Sequence, residues 1–249
     1  MRRLVATLAL LLLVRPAAAY QNETVVDPGA IEGRVVLGGD LEVDRQQMSY
    51  PSPELFGHPR AIERDLRVDS QGGVANVIVT VSDVARGLPG TPRELELLNE
   101  GGEFIPRVQV ATQKSQLTLR NRDEVMHNVH GFQHRRNLFN FALPSVDSVV
   151  RQGLRRTGLI ALRCDIDHPW MTAFIFVVSH PYATVSDAAG HFRIAGLPPG
   201  RYTLDVWHEH LGELQLPVVA AHGATTRVEP TYHPDNRLKA PSDWLLYGR

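Results

Sequence analysis

The sequence predicts an all-β protein. Many short runs rich in β-branched residues are separated by Gly, Pro, Asn and Asp, a pattern typical of strands joined by turns. Only Pro92 to Asn99 has a composition that favours a helix, and it is short. The chain has 249 residues, enough for one large or two small domains. We therefore expect β-sandwich architecture throughout.

The N-terminus has the pattern of a secretory signal peptide, predicted for residues 1–19. Two arginines are followed by an apolar run from Leu4 to Val14 and by small residues at Ala17 to Ala19. This run is shorter than the roughly 20 residues that cross a bilayer, so no membrane span is expected after signal removal. We expect an exported protein, periplasmic or extracellular, and Arg2-Arg3 leave the export route open.

Composition excludes some classes of function. A net charge of -1, with basic residues scattered along the chain, argues against a protein that binds nucleic acid electrostatically. Cys164 is the only cysteine, so the chain forms no internal disulfide. In an oxidising compartment a lone thiol is open to oxidation unless it is buried or bound to a partner.

The strand candidates fall into groups divided by turn residues. Residues 20–74 are expected to hold one strand and then a polar surface excursion without periodicity, from Gly38 to Gly73. The candidates are Ala30 to Leu37, Ala75 to Ser82, Arg107 to Val110, Gln116 to Leu119, Val125 to His130, Leu159 to Cys164, Ala173 to Ser179, Ala183 to Ser186, His191 to Ile194, Arg201 to His208 and Gln215 to Ala220.

The stretch "RCDIDHPWM" places three metal-binding side-chain types on one loop between two apolar strands. These are Cys164, His168 and Met171. A further ligand must come from another strand, and "NRDEVMHNVHGF" offers His127 and His130. One thiolate, two imidazoles and a weak thioether form the trigonal set that suits copper, whereas zinc is less well served by thioether.

The two motifs together resemble the cupredoxins, the blue-copper electron carriers related to plastocyanin and amicyanin. "NRDEVMHNV", "CDIDHPWM" and the Phe-x-Pro-x-Val pattern of "GGEFIPRVQV" carry the resemblance, which spans about Ala75 to Ser179. It implies a Greek-key sandwich at residues 75–180 that binds one mononuclear copper ion. The implied ligands are His127, Cys164, His168 and Met171.

The resemblance also implies roles around the ligands. Asn128 would hold the ligand loop against the strand by hydrogen bonding, and Pro169 with Trp170 would form an apolar docking surface for a redox partner protein. One departure is that Asp165, Ile166 and Asp167 make three residues between Cys164 and His168, where the short-loop cupredoxins have two. The extra residue is either absorbed as a bulge or changes the copper geometry.

Each ligand also has an ordinary structural interpretation. Cys164 alone reads as a buried small hydrophobic residue, Met171 as core filler, and the upstream histidines as sheet residues. Strand alternation places His127 and His130 on opposite faces, so they are not expected to share one ion. We prefer His127 as the ligand, with His130 or His134 outside the first coordination sphere.

The C-terminal part has a different pattern. "SDAAGHF" and "LPPGRY" resemble the carboxypeptidase regulatory-like domain, a small transthyretin-like β-sandwich without catalytic residues of its own. This module is assigned to residues 181–230, followed by a tail at 231–249, and the strand at 30–37 is expected to complete it. The resemblance implies contact with a glycan or a protein.

His208 and His210 form a weaker motif, two residues apart on one strand, that invites a second metal site. Their spacing differs from the His-Glu-x-x-His zinc motif and no third ligand is evident. No catalytic constellation stands out, so an enzyme is not expected. The sequence predicts an exported copper protein that carries single electrons. The alternatives are a copper storage or delivery protein and an exported adhesion or structural protein without redox activity.

Overall fold

The computed structural model describes residues 19–39, 48–49, 61–62, 66–166, 168 and 170–233. Most of the expected signal peptide, most of the expected surface excursion and the tail beyond residue 233 lie outside the described residues, as do Asp167 and Pro169. The described part consists of strands and turns without a helix, which confirms the all-β fold class. None of its segments is a helix long and apolar enough to cross a membrane.

The first sandwich consists of two sheets that enclose one hydrophobic core. Its five-stranded sheet has the order β10-β16-β15-β12-β13, and its four-stranded sheet has the order β14-β11-β8-β9. The strands are β8 (Glu94–Glu100), β9 (Glu103–Ile105), β10 (Val108–Thr112), β11 (Gln116–Asn121), β12 (His127–Gln133), β13 (Arg136–Leu143), β14 (Val149–Gly153), β15 (Gly158–Arg163) and β16 (Thr172–Val178).

The helix expected at Pro92 to Asn99 is wrong, because this segment forms β8. Leu95 and Leu97 point into the core while Glu94 and Glu96 are exposed. The period of two in "ELELLNE" therefore decides the structure, although glutamate and leucine both favour helices. β8 lies beside β11 in parallel, with Leu95 opposite Leu117.

The second sandwich packs a four-stranded sheet, β17-β6-β19-β20, against a three-stranded sheet, β18-β2-β21. The remaining short strands pair as β1 with β7, β3 with β22 and β4 with β5. The bounds are β1 (Gln21–Asn22), β2 (Gly29–Arg34), β3 (Val36–Leu37), β4 (Met48–Ser49), β5 (Ala61–Ile62), β6 (Ile78–Ser82), β7 (Arg86–Gly87), β17 (Ala183–Val185), β18 (His191–Leu197), β19 (Gly200–His208), β20 (Gly212–Ala220), β21 (Thr225–Val228) and β22 (Thr231–Tyr232).

The N-terminal strand β2 lies between β18 and β21, and its Ile31 shares a core with Leu204 and Val206 of β19. The strand expected to complete the C-terminal module therefore lies close to the strands of that module. β6, which the sequence assigned to the first sandwich, instead pairs with β19, and Val79 and Val81 enter the second core. Sheet pairing thus groups β2 and β6 with the C-terminal strands.

A smaller apolar cluster joins the two sandwiches. Ile78 of β6, Val108 of β10 and Phe174 of β16 are buried together, and the Trp207 ring meets Phe174 edge-on at 5.2 Å between centroids. Alternation along β16 explains this, because Ala173 and Ile175 face the first core while Phe174 faces the second sandwich.

Candidate metal centre

Sheet topology brings the expected ligands to one end of the first sandwich. β15 runs antiparallel to both β12 and β16, with Arg163 opposite His130 and also opposite Thr172. The end of β15 therefore lies beside the starts of both neighbours. His127 begins β12, Cys164 follows β15, and Met171 precedes β16.

His127, Cys164 and His168 offer one donor atom each, and these atoms all lie within 4.8 Å of one another. The two Nδ1 atoms of the histidines are 3.1 Å apart, and the Cys164 Sγ lies 3.7 Å from the His168 Nδ1. In the described part of the chain, this is the one group of three or more such donors compact enough to hold an ion. His130 is not part of it.

The spacing between the two Nδ1 atoms and the spacing between the Cys164 Sγ and the His168 Nδ1 are those of donors that share one metal ion. Bonds of about 2.0 Å to each imidazole and about 2.3 Å to a thiolate place two nitrogens about 3.1 Å apart at an angle near 100°. They place nitrogen and sulfur about 3.7 Å apart at a trigonal angle near 120°. One thiolate and two imidazoles form a donor set that suits copper, and Met171, whose thioether is the expected fourth ligand, lies on the same loop. The residues present therefore fit the group that the sequence implies.

Met171 and Cys164 are joined by the backbone of the loop. The Cys164 N–H donates to the Met171 carbonyl at 3.1 Å, and the Met171 N–H donates to the His168 carbonyl at 2.9 Å. Both side chains are buried in the first core, with Met171 1% exposed and Cys164 3% exposed. These bonds close the loop on itself, so its ends stay together without the ion.

The imidazole of His127 is fully buried and is held from behind by Asp123. The His127 Nε2 lies 2.9 Å from Asp123 Oδ2. Burial opposes protonation of His127, but the hydrogen bonds with Asp123 and Cys164 and their charges outweigh it, so its pKa is raised. Burial likewise opposes ionisation of Asp123, yet the bonds from His127, Gly102 and Gly101 keep its pKa low.

Asn128 and Asp165 form a second set of contacts beside the expected ligands. The Asp165 N–H donates to Asn128 Oδ1 at 2.7 Å, which ties the residue after Cys164 to the residue after His127. His130 Nδ1 lies 2.5 Å from Asp165 Oδ2, so this histidine pairs with the loop carboxylate. Burial opposes ionisation of Asp165, but its bond with His130 and the charge of Arg163 hold its pKa low.

Trp170 lies within the ligand loop, between His168 and Met171, and is half-buried. Its indole N–H donates to the Gly102 carbonyl at 2.9 Å, and its ring lies 5.4 Å from that of His168. The expected docking residue Pro169 and the extra loop residue Asp167 lie outside the described residues.

His208 and His210 lie at the turn between β19 and β20, with ring centroids 5.9 Å apart. The backbone N–H of His210 donates to the His208 Nδ1 at 3.1 Å, so that nitrogen accepts a hydrogen bond within the turn. Across the described ranges, neither histidine joins a group of three metal-binding side chains.

Sequence reasoning missed Asp123 and the glycine pair Gly101-Gly102. The carboxylate lies four residues before the expected ligand His127, and "NEGGEF" has a two-residue hairpin signal between alternating segments. Both signals were in the sequence, but nothing local indicated that the turn reaches Asp123.

No family model matches the chain, and no curated protein matches it. Among solved structures, it is similar to a purple cupredoxin from Nitrosopumilus maritimus, with 19% identity over 34% of this chain and 99% of that chain, at a TM-score of 0.30. For amicyanin from Paracoccus versutus the identity is 14%, the covered shares are 40% and 97%, and the TM-score is 0.30.

A Cu-containing nitrite reductase from Thermus scotoductus is also similar, with 20% identity and a TM-score of 0.30. The match covers 40% of this chain and only 25% of the reductase. TM-scores of this size assign neither the fold nor the activity of this chain. The interpretation of the site depends on its own residues.

Proposed function

We propose that this chain is an exported protein that binds one copper ion and carries single electrons between partner proteins. The observation that supports it most directly is the convergence of two Nδ1 atoms and one Sγ atom at the end of a β-sandwich. The order of these residues along the chain agrees with the cupredoxin resemblance of the sequence.

The proposed ligands are His127, Cys164 and His168, with Met171 as a weak fourth ligand. Copper bound there would supply one-electron chemistry by alternating between Cu(I) and Cu(II). The protein's part is to hold the donors in one arrangement for both oxidation states. The backbone bonds that close the Cys164 to Met171 loop, and the Asn128 bond that ties it to β12, provide this rigidity.

Electron exchange requires one ligand near the surface. His127, Cys164 and Met171 are buried, whereas His168 is partly exposed and has Trp170 beside it. The side chain of Met126, next to His127 in sequence, is 45% exposed. We propose that a redox partner docks at this end of the sandwich and exchanges electrons through the His168 ring.

Export is proposed from the N-terminal sequence and from the lone thiol. Cys164 is buried, and metal binding would further protect it in an oxidising compartment. Expression of the full chain followed by N-terminal sequencing should recover a mature form that begins near Tyr20. Recovery of an unprocessed chain in the cytoplasm alone would contradict export.

For the second sandwich we propose a role in contacting a glycan or a protein, following its resemblance to the regulatory-like module. It carries no group of three metal-binding side chains in its described part. Screening the full-length protein on a glycan array tests the glycan half of this idea. Failure to retain any glycan would leave protein contact as the role of the module.

Loading the purified protein with a Cu(II) salt tests the copper proposal. We expect one copper per chain and an intense thiolate-to-copper band in the visible spectrum, because the Cys164 sulfur would bind the ion directly. Cys164→Ser should remove the band. His191→Asn, which changes an exposed histidine of the other sandwich, is the matched control and should keep it.

Reversible bleaching by ascorbate and recovery with ferricyanide should follow if the site carries electrons. A colourless protein, or one that prefers zinc over copper, would refute the copper assignment. Rapid loss of Cu(I) to a chelator would instead favour copper delivery over electron transfer.

A further inference from the structure

The Asp123 carboxylate receives three hydrogen bonds at the metal end of the first sandwich. The backbone N–H of Gly101 donates to Oδ1 at 2.7 Å, and that of Gly102 donates to Oδ2 at 3.0 Å. The His127 Nε2 lies 2.9 Å from the same Oδ2. The side chain of Asp123 is 9% exposed, so water competes little for these bonds.

The two glycines form the tight turn between β8 and β9. Glu100 pairs with Glu103 across the turn, and both glycines have positive φ, 62° and 71°. Two consecutive residues with positive φ are characteristic of the type I′ hairpin turn, which favours glycine. The conformation turns two adjacent N–H groups toward the Asp123 carboxylate. The Gly101-Gly102 turn of the four-stranded sheet thus fixes the side chain of Asp123, which contacts His127 of the five-stranded sheet.

Asp123 also determines which nitrogen of His127 is available. An ionised carboxylate only accepts hydrogen bonds, so the Nε2 must carry the hydrogen. In the neutral ring, the Nδ1 then keeps its lone pair, and this is the atom 3.1 Å from the His168 Nδ1. The carboxylate therefore orients the ring and selects the tautomer that can bind a metal.

The same turn also contacts the ligand loop. The Gly102 carbonyl accepts the indole N–H of Trp170 at 2.9 Å. The Gly101-Gly102 turn therefore touches the strand ligand through Asp123 and the loop through Trp170. The turn is thus linked both to His127 on β12 and to the loop that carries Cys164 and His168.

We propose that Asp123, clamped by the Gly101-Gly102 turn, is a positioning residue that strengthens the His127 bond to Cu(II) more than to Cu(I) and so lowers the reduction potential. This inference rests on the proposed copper function. A carboxylate hydrogen-bonded to a ligating imidazole makes that imidazole a stronger base, and the effect is larger for the more highly charged ion. Removing such a partner typically weakens metal binding about 10- to 100-fold.

Asp123→Asn removes the charge while keeping the size of the side chain. We expect its affinity for Cu(II) to fall about tenfold or more and its affinity for Cu(I) to change little. A tenfold selective loss corresponds to a rise of about 59 mV in the reduction potential. Glu124→Gln is the matched control, because it removes a neighbouring exposed charge and should leave both affinities unchanged.

Equal losses of Cu(I) and Cu(II) affinity in Asp123→Asn would show that Asp123 only supports the hairpin, and would overturn the inference. Unchanged affinities would do the same. The wild-type protein is measured first, since a wild type that binds no copper refutes the proposed function rather than the role of Asp123.

A measurement on wild-type protein keeps the inference testable if Asp123→Asn does not fold. Long-range proton-nitrogen NMR of the copper-free chain reports which ring nitrogen of neutral His127 carries hydrogen. We expect hydrogen on Nε2 and a bare Nδ1. Hydrogen on Nδ1 would overturn the proposed orientation.

Discussion

At the scale of single residues, the burial of Met171 agrees both with a core residue and with the proposed weak ligand. It is 1% exposed and packs among the apolar residues of the first core. Its backbone also closes the ligand loop through Cys164 and His168. A core residue and a metal ligand would share this burial and these backbone contacts. The two roles differ in whether the thioether sulfur binds copper.

Met171→Leu separates the two roles. The exchange nearly conserves volume, so the copper-free protein should lose less than about 1.5 kcal/mol of unfolding free energy. If the thioether binds copper, its loss favours the lower coordination of Cu(I), and the reduction potential should rise. Thermal unfolding and redox titration measure the two effects. An unchanged potential, equal to that of the exposed control Met126→Leu, would make Met171 core filler.

The sequence was most informative for residues whose chemistry is unusual. A single Cys followed by His and Met on one loop indicated copper, and the structure brings Cys164 and His168 together with His127. Asp123 was missed because an aspartate after a strand ordinarily reads as a turn residue. Its role depends on Gly101-Gly102, which are distant in sequence and reach it through sheet pairing.

At the scale of elements, β12 carries the proposed ligand His127 and also a glycine that is tightly packed against a neighbouring ring. Gly131 lies opposite Phe139 of β13, and the pairing register shifts after it. A Cβ at Gly131 would come within 2.5 Å of the Phe139 ring. The ring thus occupies the space that a side chain would need, and this strand requires glycine there.

Gly131→Ala should lower the free energy of unfolding by about 1 to 3 kcal/mol, because the buried Phe139 ring must move. Gly153→Ala is the matched control. Gly153 lies in β14, and the nearest atoms to a Cβ there are 3.9 Å away. Urea unfolding of the copper-free proteins compares the two. Equal stability of both variants would contradict close packing at Gly131.

Most of the longer strands with β-branched residues were recognised in the sequence, whereas β21 was missed although its sequence, TTRV, consists mainly of such residues. β13 and β14 were missed, and β8 was assigned to a helix. β13 is an edge strand with polar residues at Asn137 and Asn140, so its pattern resembles a loop. In β8 the residue types favour a helix and only the alternation indicates a strand, so tertiary packing overrides propensity.

At the scale of the whole molecule, one ion pair connects the two sandwiches near the candidate metal centre. The Arg107 guanidinium binds both carboxylate oxygens of Glu209, at 2.6 and 2.8 Å. It also donates to the backbone and the hydroxyl of Thr172, the residue after Met171. The Glu209 side chain is only 2% exposed, so this pair is largely removed from water.

Glu209→Gln should destabilise the protein by about 2 to 3 kcal/mol, because the partly buried guanidinium of Arg107 loses the negative charge of Glu209. This lies below the ~3 to 5 kcal/mol seen for fully buried pairs, since Arg107 keeps some contact with solvent. The control Asp147→Asn breaks the exposed pair with Arg122 and should cost less than about 1 kcal/mol. Similar losses in both variants, measured by urea unfolding, would contradict the inferred importance of burial.

Molecular organisation was only partly accessible from sequence. Motif resemblance separated a metal-binding region from a C-terminal region, and β2 was expected to join the latter. The placement of β6 was not foreseen, because an apolar strand such as "VIVTVS" fits either core equally well. In the structure, β6 pairs with β17 and β19, which are both distant from it in sequence.

This pairing makes the first sandwich an insertion within the second. β6 ends at Ser82 and its neighbour β17 begins at Ala183, with Ala183 opposite Thr80. β6 and β17 can pair only after the whole first sandwich has been synthesised, because it lies between them in the sequence. The contacts between these strands are therefore of high sequence separation. Once folded, the insertion holds the host's strand ends together. A cofactor captured by the insertion would then protect its host from unfolding by mass action.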